Sequence, residues 1–152
     1  VKFSPRLGAS FFFARGGGDL EDAHLFFPTL TYQLALSRRT LRPHIAHAAQ
    51  EYLQPDGERQ MHHAFERLQS ALRAALTIDQ PPTFLVVDGI DECRDTHLVP
   101  DLLQYLLVLV RQLPWLYVLV ASRPEPRILS VLASSSSANV VHHIRLEDML
   151  ED

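Results

Sequence analysis

Two short apolar runs set the limits on how this chain folds. Thr83-Phe84-Leu85-Val86-Val87 and Leu116-Tyr117-Val118-Leu119-Val120 are apolar almost continuously rather than at alternate positions. A strand with one wet face alternates; a strand apolar throughout is covered on both faces, as in a parallel sheet flanked by helices. Parallel neighbours need a long crossover between them. The stretch Leu98 to Leu113 supplies one, apolar but interrupted by Asp101, Gln104 and Arg111. It is shorter than the roughly 20 residues a bilayer demands, and it reads as a helix buried in a core.

The rest of the chain fits the same α/β frame. Ala9 to Phe13 is short, aromatic and bounded by Gly8 and by Gly16-Gly17-Gly18, which predicts a strand followed by a loop over Arg15 to Asp19. The acidic stretch Asp19 to Asp22 and then Pro28 suit the start of a helix running to about Ser37. A second helix is expected from about Pro43 to the turn signature Pro55-Asp56-Gly57. A third is expected from about Arg59 to Leu76, because Met61, Phe65, Leu68, Leu72 and Leu76 recur at helical spacing. Asp79-Gln80-Pro81-Pro82 breaks the chain before the first apolar run. After the second run come a short helix over Arg127 to Leu132, a serine loop over Ser134 to Ser137 and a last strand over Val140 to Leu146. Alternating strands and helices predict a parallel sheet, with no internal repeat and no domain boundary.

Composition narrows the classes further. A hydrophobic fraction of 47% and a charged fraction of 21% are ordinary for a packed domain. A net charge of -4 leaves no basic field for nucleic acid. The single cysteine, Cys93, cannot close an internal disulfide, and no secretory signal opens the sequence; both point to a cytoplasmic chain and away from a membrane. The absence of an initiator Met suggests a fragment of a longer chain. The eight His are scattered without metal-ligand spacing and read as ordinary surface residues, and Phe11, Phe12 and Phe13 read as core rather than as a stacking platform.

Open parallel sheets place their chemistry at the carboxyl ends of strands. The first apolar run ends in Asp88-Gly89-Ile90-Asp91-Glu92. A carboxylate at the tip of a buried strand is held rigidly and, in nucleoside triphosphatases, holds Mg²⁺ that bridges phosphate oxygens. Asp91 and Glu92, three and four residues on, are placed to polarise an attacking water. The second run ends in Ala121-Ser122-Arg123-Pro124-Glu125. Arg123 stays charged and donates in a fork, which suits a terminal phosphate. Adjacent strands would present acid and Arg to one crevice.

The stretch Phe84 to Cys93 resembles the extended Walker B motif of NACHT proteins, and Ala121 to Glu125 resembles their sensor 1 motif. Leu7 to Asp19 is similar to the strand after the P-loop helix in fungal NACHT proteins, among them heterokaryon-incompatibility regulators and the nephrocystin-3-like group. The resemblance covers nearly the whole chain and is weakest from about Gln54 to Met61. It implies a P-loop NTPase sheet of the ASCE/STAND type and a signal-transducing ATP or GTP switch of fungal defence or programmed cell death. It also implies a cytoplasmic protein that self-oligomerises and works with other domains of its own chain. By the match, Asp88 serves Mg²⁺, Asp91 and Glu92 the water, and Arg123 the terminal phosphate.

A P-loop requires Gly-x-x-x-x-Gly-Lys-Ser/Thr. The one Lys is Lys2, with no Gly before it, and the Gly16 to Gly18 run has no Lys after it. The family's strand order is 2-3-4-1-5, so residues 1–152 read as a partial NACHT domain from strand two to about strand five, lacking the P-loop strand. Mg²⁺ with ATP or GTP is then expected only where that loop is present, and this stretch alone is expected to hydrolyse almost nothing. The alternative is a non-catalytic interaction or assembly module derived from such a domain. A phospho-acceptor receiver domain with Asp88 as acceptor fits less well, because it needs a late Lys and none follows Lys2.

Overall fold

A computed structural model describes residues 6–51, 60–75 and 80–150. Three strands, β1 (Arg6–Phe12), β2 (Thr83–Asp88) and β3 (Leu116–Ala121), form one sheet in the order β1-β2-β3, and both pairings are parallel. Among the described residues five α-helices accompany them: α1 (Phe26–Ser37), α2 (Arg42–Glu51), α3 (Gln60–Ala74), α4 (Val99–Gln112) and α5 (Pro126–Leu132). The chain is therefore α/β with an open, all-parallel sheet, as the apolar runs predict, and its three strands suit an incomplete P-loop NTPase-like sheet. The expected turn at Pro55 to Gly57, and Arg59, Leu76 and Asp79, lie outside the described residues.

The strands advance across the sheet in one direction. Crossovers of one hand then lay their helices on one face. That face holds the core: Ala9 and Phe11 of β1 and Leu85 and Val87 of β2 are buried against Phe26, Phe27, Leu30 and Leu34 of α1, Phe65, Leu68 and Leu72 of α3, and Leu102, Leu103 and Leu106 of α4. The rings form a continuous series. Phe13 stacks on Phe26 at 5.9 Å, Phe26 meets Phe27 edge-on at 5.0 Å, Phe27 meets Phe65 at 5.4 Å, and Phe65 stacks on Tyr105 of α4 at 4.4 Å. Each buried Phe contributes roughly 1.5–3 kcal/mol.

The opposite face is bare among the described residues. Register places Leu7, Phe84 and Tyr117 in one row and Val86 and Leu119 in the next. Leu7 is 59% exposed and Leu119 58%, and the rings of Phe84 and Tyr117 stack on each other at 5.3 Å. Phe12 also points this way, at 54% exposure. Of the three phenylalanines expected in the core, only Phe11 and Phe13 lie there, because alternation in a strand sends the middle one outward.

The sheet's two edges differ. On the outer edge of β1, the Gln33 side chain from α1 receives the Ser10 N–H at 2.7 Å and donates to the Ser10 carbonyl at 3.0 Å. The Ser37 hydroxyl donates to the Gly8 carbonyl at 2.6 Å. That edge is closed by side chains. Among the described residues, the outer edge of β3 has no strand beside it. The expected strand over Val140 to Leu146 is not formed: these residues are turn, coil and bend, and Ile144 and Leu146 are exposed. A single extended segment gains nothing until its N–H and C=O groups find a neighbouring strand, and this one has none among the described residues. Gly8 sits where the β1 register shifts, buried against Thr83 and Leu34 so closely that a Cβ would meet their methyl carbons at 2.5 and 2.9 Å. No helix among the described residues is long and apolar enough to cross a membrane.

Candidate functional site at the strand tips

Asp88 ends β2 opposite Ala121, the last residue of β3, so the two segments singled out by sequence leave the sheet side by side. The Asp88 carbonyl accepts the Phe13 N–H at 2.9 Å, and the Gly89 N–H donates to the Ala121 carbonyl at 2.9 Å, which extends both ladders by one bond. The Asp88 side chain is exposed and makes no hydrogen bond or ion pair among the described residues. Its neighbour must be glycine. Gly89 has φ 67°, the left-handed region that L side chains avoid, and a Cβ there would meet the Phe13 carbonyl oxygen at 2.9 Å.

From Gly89 the chain enters one tight turn over Ile90–Glu92. Ile90 is fully buried and anchors the turn, which carries Asp91 inward to 3% exposure and leaves Glu92 half-buried. Asp91 then meets the residues that follow β3. Arg123 Nε donates to Asp91 Oδ2 at 2.7 Å and the Arg123 backbone N–H to Oδ1 at 3.3 Å; the Ser122 hydroxyl lies 3.4 Å from Oδ1, with the Arg123 carbonyl as its nearer acceptor at 2.7 Å. Burial works to raise the Asp91 pKa, but the hydrogen bonds and charge of Arg123 outweigh it and hold the carboxyl below its ordinary value. The same hydrogen bond raises the Arg123 pKa. Arg123 keeps 66% of its side chain exposed, so its outer guanidinium nitrogens remain available.

Glu92 turns the other way. Its Oε2 accepts the Arg15 N–H at 2.9 Å, tying the turn to the loop after β1. That loop is not a phosphate cradle: the Gly16 N–H is taken by Glu21 at 2.8 Å and the Gly17 N–H by the Ala14 carbonyl at 3.0 Å. Cys93 is buried, and burial followed by the charges of Asp95 and Asp22 raises its thiol pKa, which suits a packing residue and not a nucleophile.

Of the four residues chosen from sequence, the structure brings Asp91 and Arg123 into direct contact at the carboxyl end of the sheet, while Glu92 bonds to Arg15 and the Asp88 side chain has no partner among the described residues. Sequence reasoning did not identify Ser122 and Arg15 as partners. Both contribute through the backbone or a short hydroxyl, which leaves no mark in residue type. A model of the family described as "Nephrocystin 3, N-terminal" matches residues 2–123, a span that holds all three strands and ends on Arg123. Neither a curated relative nor a solved structure matches the chain.

Proposed function

From the premise that the chain belongs to the nephrocystin 3 N-terminal family, we propose that it is part of a NACHT-type nucleotide switch, a STAND-class NTPase domain of the fungal signalling kind. The observation that carries this reading is the Asp91–Arg123 contact at 2.7 Å, which joins an acid from one strand tip to an Arg from the next. Structural ion pairs are common, but this one leaves the outer face of the guanidinium free, and Asp88, at the tip of the neighbouring strand, is exposed and without a side-chain partner among the described residues. One carboxylate with substrate phosphates is the usual protein contribution to Mg²⁺, and Asp88 fits that part. Bound there, Mg²⁺ with a nucleoside triphosphate would neutralise phosphate charge.

The chain's own residues divide the work. Arg123 answers the terminal phosphate. Asp91 was expected beside Glu92 at the attacking water, but its depressed pKa makes it a weak base and both its oxygens are engaged. Asp91 therefore holds Arg123 in place, and Glu92 polarises the water once its bond to Arg15 opens. The phosphate-binding loop is supplied by a further strand and helix of the full protein. The open edge of β3, with the bare apolar face beside it, supports that reading, since a parallel sheet is normally covered on both faces. The same bare face favours the second reading, an assembly module without catalysis.

One experiment separates them. Mg²⁺-dependent binding of ATP and GTP is measured for residues 1–152 and for the same chain extended upstream by about 40 residues, enough for a strand, loop and helix. The switch reading expects binding by the extended form only, weakened by Asp88→Ala. Binding by neither form sinks it in favour of the assembly module.

A further inference from the structure

Asp22 and His24 are two residues apart and Asp95 is far from both in sequence, yet the structure brings one ligand atom from each to within 4.8 Å of the others. Asp22 and His24 lie in the loop between β1 and α1; Asp95 lies in the loop between β2 and α4. Two further observations concern what these side chains lack. His24 Nδ1 is sealed from solvent and has no hydrogen-bond partner. A buried polar nitrogen in that condition calls for a ligand. Asp95 stands at the N-cap of the turn over Thr96–Leu98, where an Asp ordinarily receives a backbone N–H, yet its side chain makes no such bond. Instead its carboxylate is brought toward Asp22. Arg94 lies 3.9 Å from Asp22 Oδ2 and 3.5 Å from Glu21, with its side chain 55% exposed. That guanidinium is shared between two carboxylates, and none of the ion pairs among the described residues reaches Asp95.

We propose that Asp22, His24 and Asp95 form a binding site for a transition-metal dication of the zinc type. One imidazole and two carboxylates suit Zn²⁺, whereas Mg²⁺ and Ca²⁺ take oxygen ligands. Three protein ligands leave the fourth position to water. Ligand atoms around Zn²⁺ stand roughly 3.4 Å apart, so the partly exposed side chains draw inward on binding. Asp22 Oδ1 keeps its bond to the His24 N–H at 2.9 Å, and Oδ2 is released from Arg94 to the metal. The bound ion pins the loop after β1 to the loop after β2, beside existing ties from Arg94 N–H to the Glu21 carbonyl and from Arg15 N–H to Glu92. It thereby stiffens the segment from Asp88 to Glu92 at its far end. The site does not depend on nucleotide binding, and its test contains none.

The test is equilibrium dialysis of the metal-free chain against Zn²⁺ alone, with melting curves in EDTA and in Zn²⁺, and Co²⁺ absorption as a report on coordination. The expected result is saturable binding of one Zn²⁺ per chain, a melting temperature raised by Zn²⁺, and a Co²⁺ d–d spectrum. His24→Gln and Asp95→Asn should each weaken binding by about tenfold or more and abolish the melting shift, while melting in EDTA stays at the wild-type value. His62→Gln should leave binding unchanged, which separates this site from the exposed His62–Glu66 pair at 3.2 Å. Cys93→Ser should leave it unchanged too. Absence of saturable binding, or binding indifferent to both His24→Gln and Asp95→Asn, overturns the proposal. Should His24→Gln fail to fold, Asp95→Asn decides alone, because the Asp95 side chain makes no capping hydrogen bond for the substitution to break.

Discussion

At the residue scale the Asp91–Arg123 pair is asymmetric, and the asymmetry is testable. Asp91 is 3% exposed and Arg123 is largely in water. Losing Arg123 strands a buried carboxylate; losing the Asp91 charge returns a guanidinium to solvent. Arg123→Ala is therefore expected to lower the midpoint of chemical denaturation, because it leaves the Asp91 carboxylate without its guanidinium partner. With the guanidinium gone, its hydrogen bond and charge no longer oppose burial, only the backbone hydrogen bonds still do, and the Asp91 pKa rises from its wild-type folded value, which carboxyl NMR titration reads. Linkage fixes the sign for the wild type. Its folded Asp91 pKa lies below the unfolded one, so the pair's stabilisation is present above the unfolded pKa of about 3.9 and is lost as pH falls through the folded pKa. Asp91→Asn should flatten that acid limb; an acid limb as steep as wild type would place the titrating group elsewhere. Gly89 gives a second residue-scale expectation. At φ 67° with the Phe13 oxygen 2.9 Å from any Cβ, Gly89→Ala should cost about 1–2 kcal/mol or more. These two positions also show what sequence makes legible. Acid and Arg at neighbouring strand tips were readable from the apolar runs before them; their direct bond was not, because it depends on one turn carrying Asp91 inward around buried Ile90.

At the element scale, the legible parts were those whose signal is local. The spacing of Met61, Phe65, Leu68 and Leu72 marks α3, and Pro100 with Asp101 at one end and Arg111 at the other marks α4. The illegible parts depend on partners. Phe12 and Phe13 are equal in type, and only register decides that one faces outward and the other inward. The Val140 to Leu146 segment has strand composition, but a strand exists only by pairing, and no local pattern reports a neighbour's absence. The two edges of the sheet follow the same logic. In β3, the bonds at Trp115 and Ala121 to β2 place Tyr117 and Leu119 in the ladder and leave Val118 and Val120 facing outward. Hydrogen exchange should therefore be fast at Val118 and Val120 and slow at Tyr117 and Leu119. Ser10, on the far edge of β1, should be protected although no strand among the described residues lies beside it, because Gln33 takes its N–H. Gln33→Ala is expected to expose that amide and to cost about 1 kcal/mol. Slow exchange at Val118 and Val120 would show that the β3 edge is covered in solution.

For the whole molecule, one face of the sheet is a packed core and the other carries Leu7, Phe12, Phe84, Tyr117 and Leu119 toward solvent. A patch of this kind marks a surface meant to be covered. Leu119 distinguishes the ways of covering it, since it is 58% exposed and sits at the centre row beside Val86. In residues 1–152, Leu119→Lys puts a charge into water and should change stability by less than about 0.5 kcal/mol. In the chain extended upstream, the switch reading has a helix lying on this face, and the same substitution buries an unpaired ammonium. The expected cost there is several kcal/mol, of the order set by an uncompensated buried charge. Denaturation of both forms, with and without the substitution, gives the comparison. An equal, small effect in both would mean that the extension does not pack on this face, and the sheet would then have to meet another molecule. A large effect confined to the extended form would mean that the apolar runs at Thr83 and Leu116 read as doubly covered because, in the whole protein, they are.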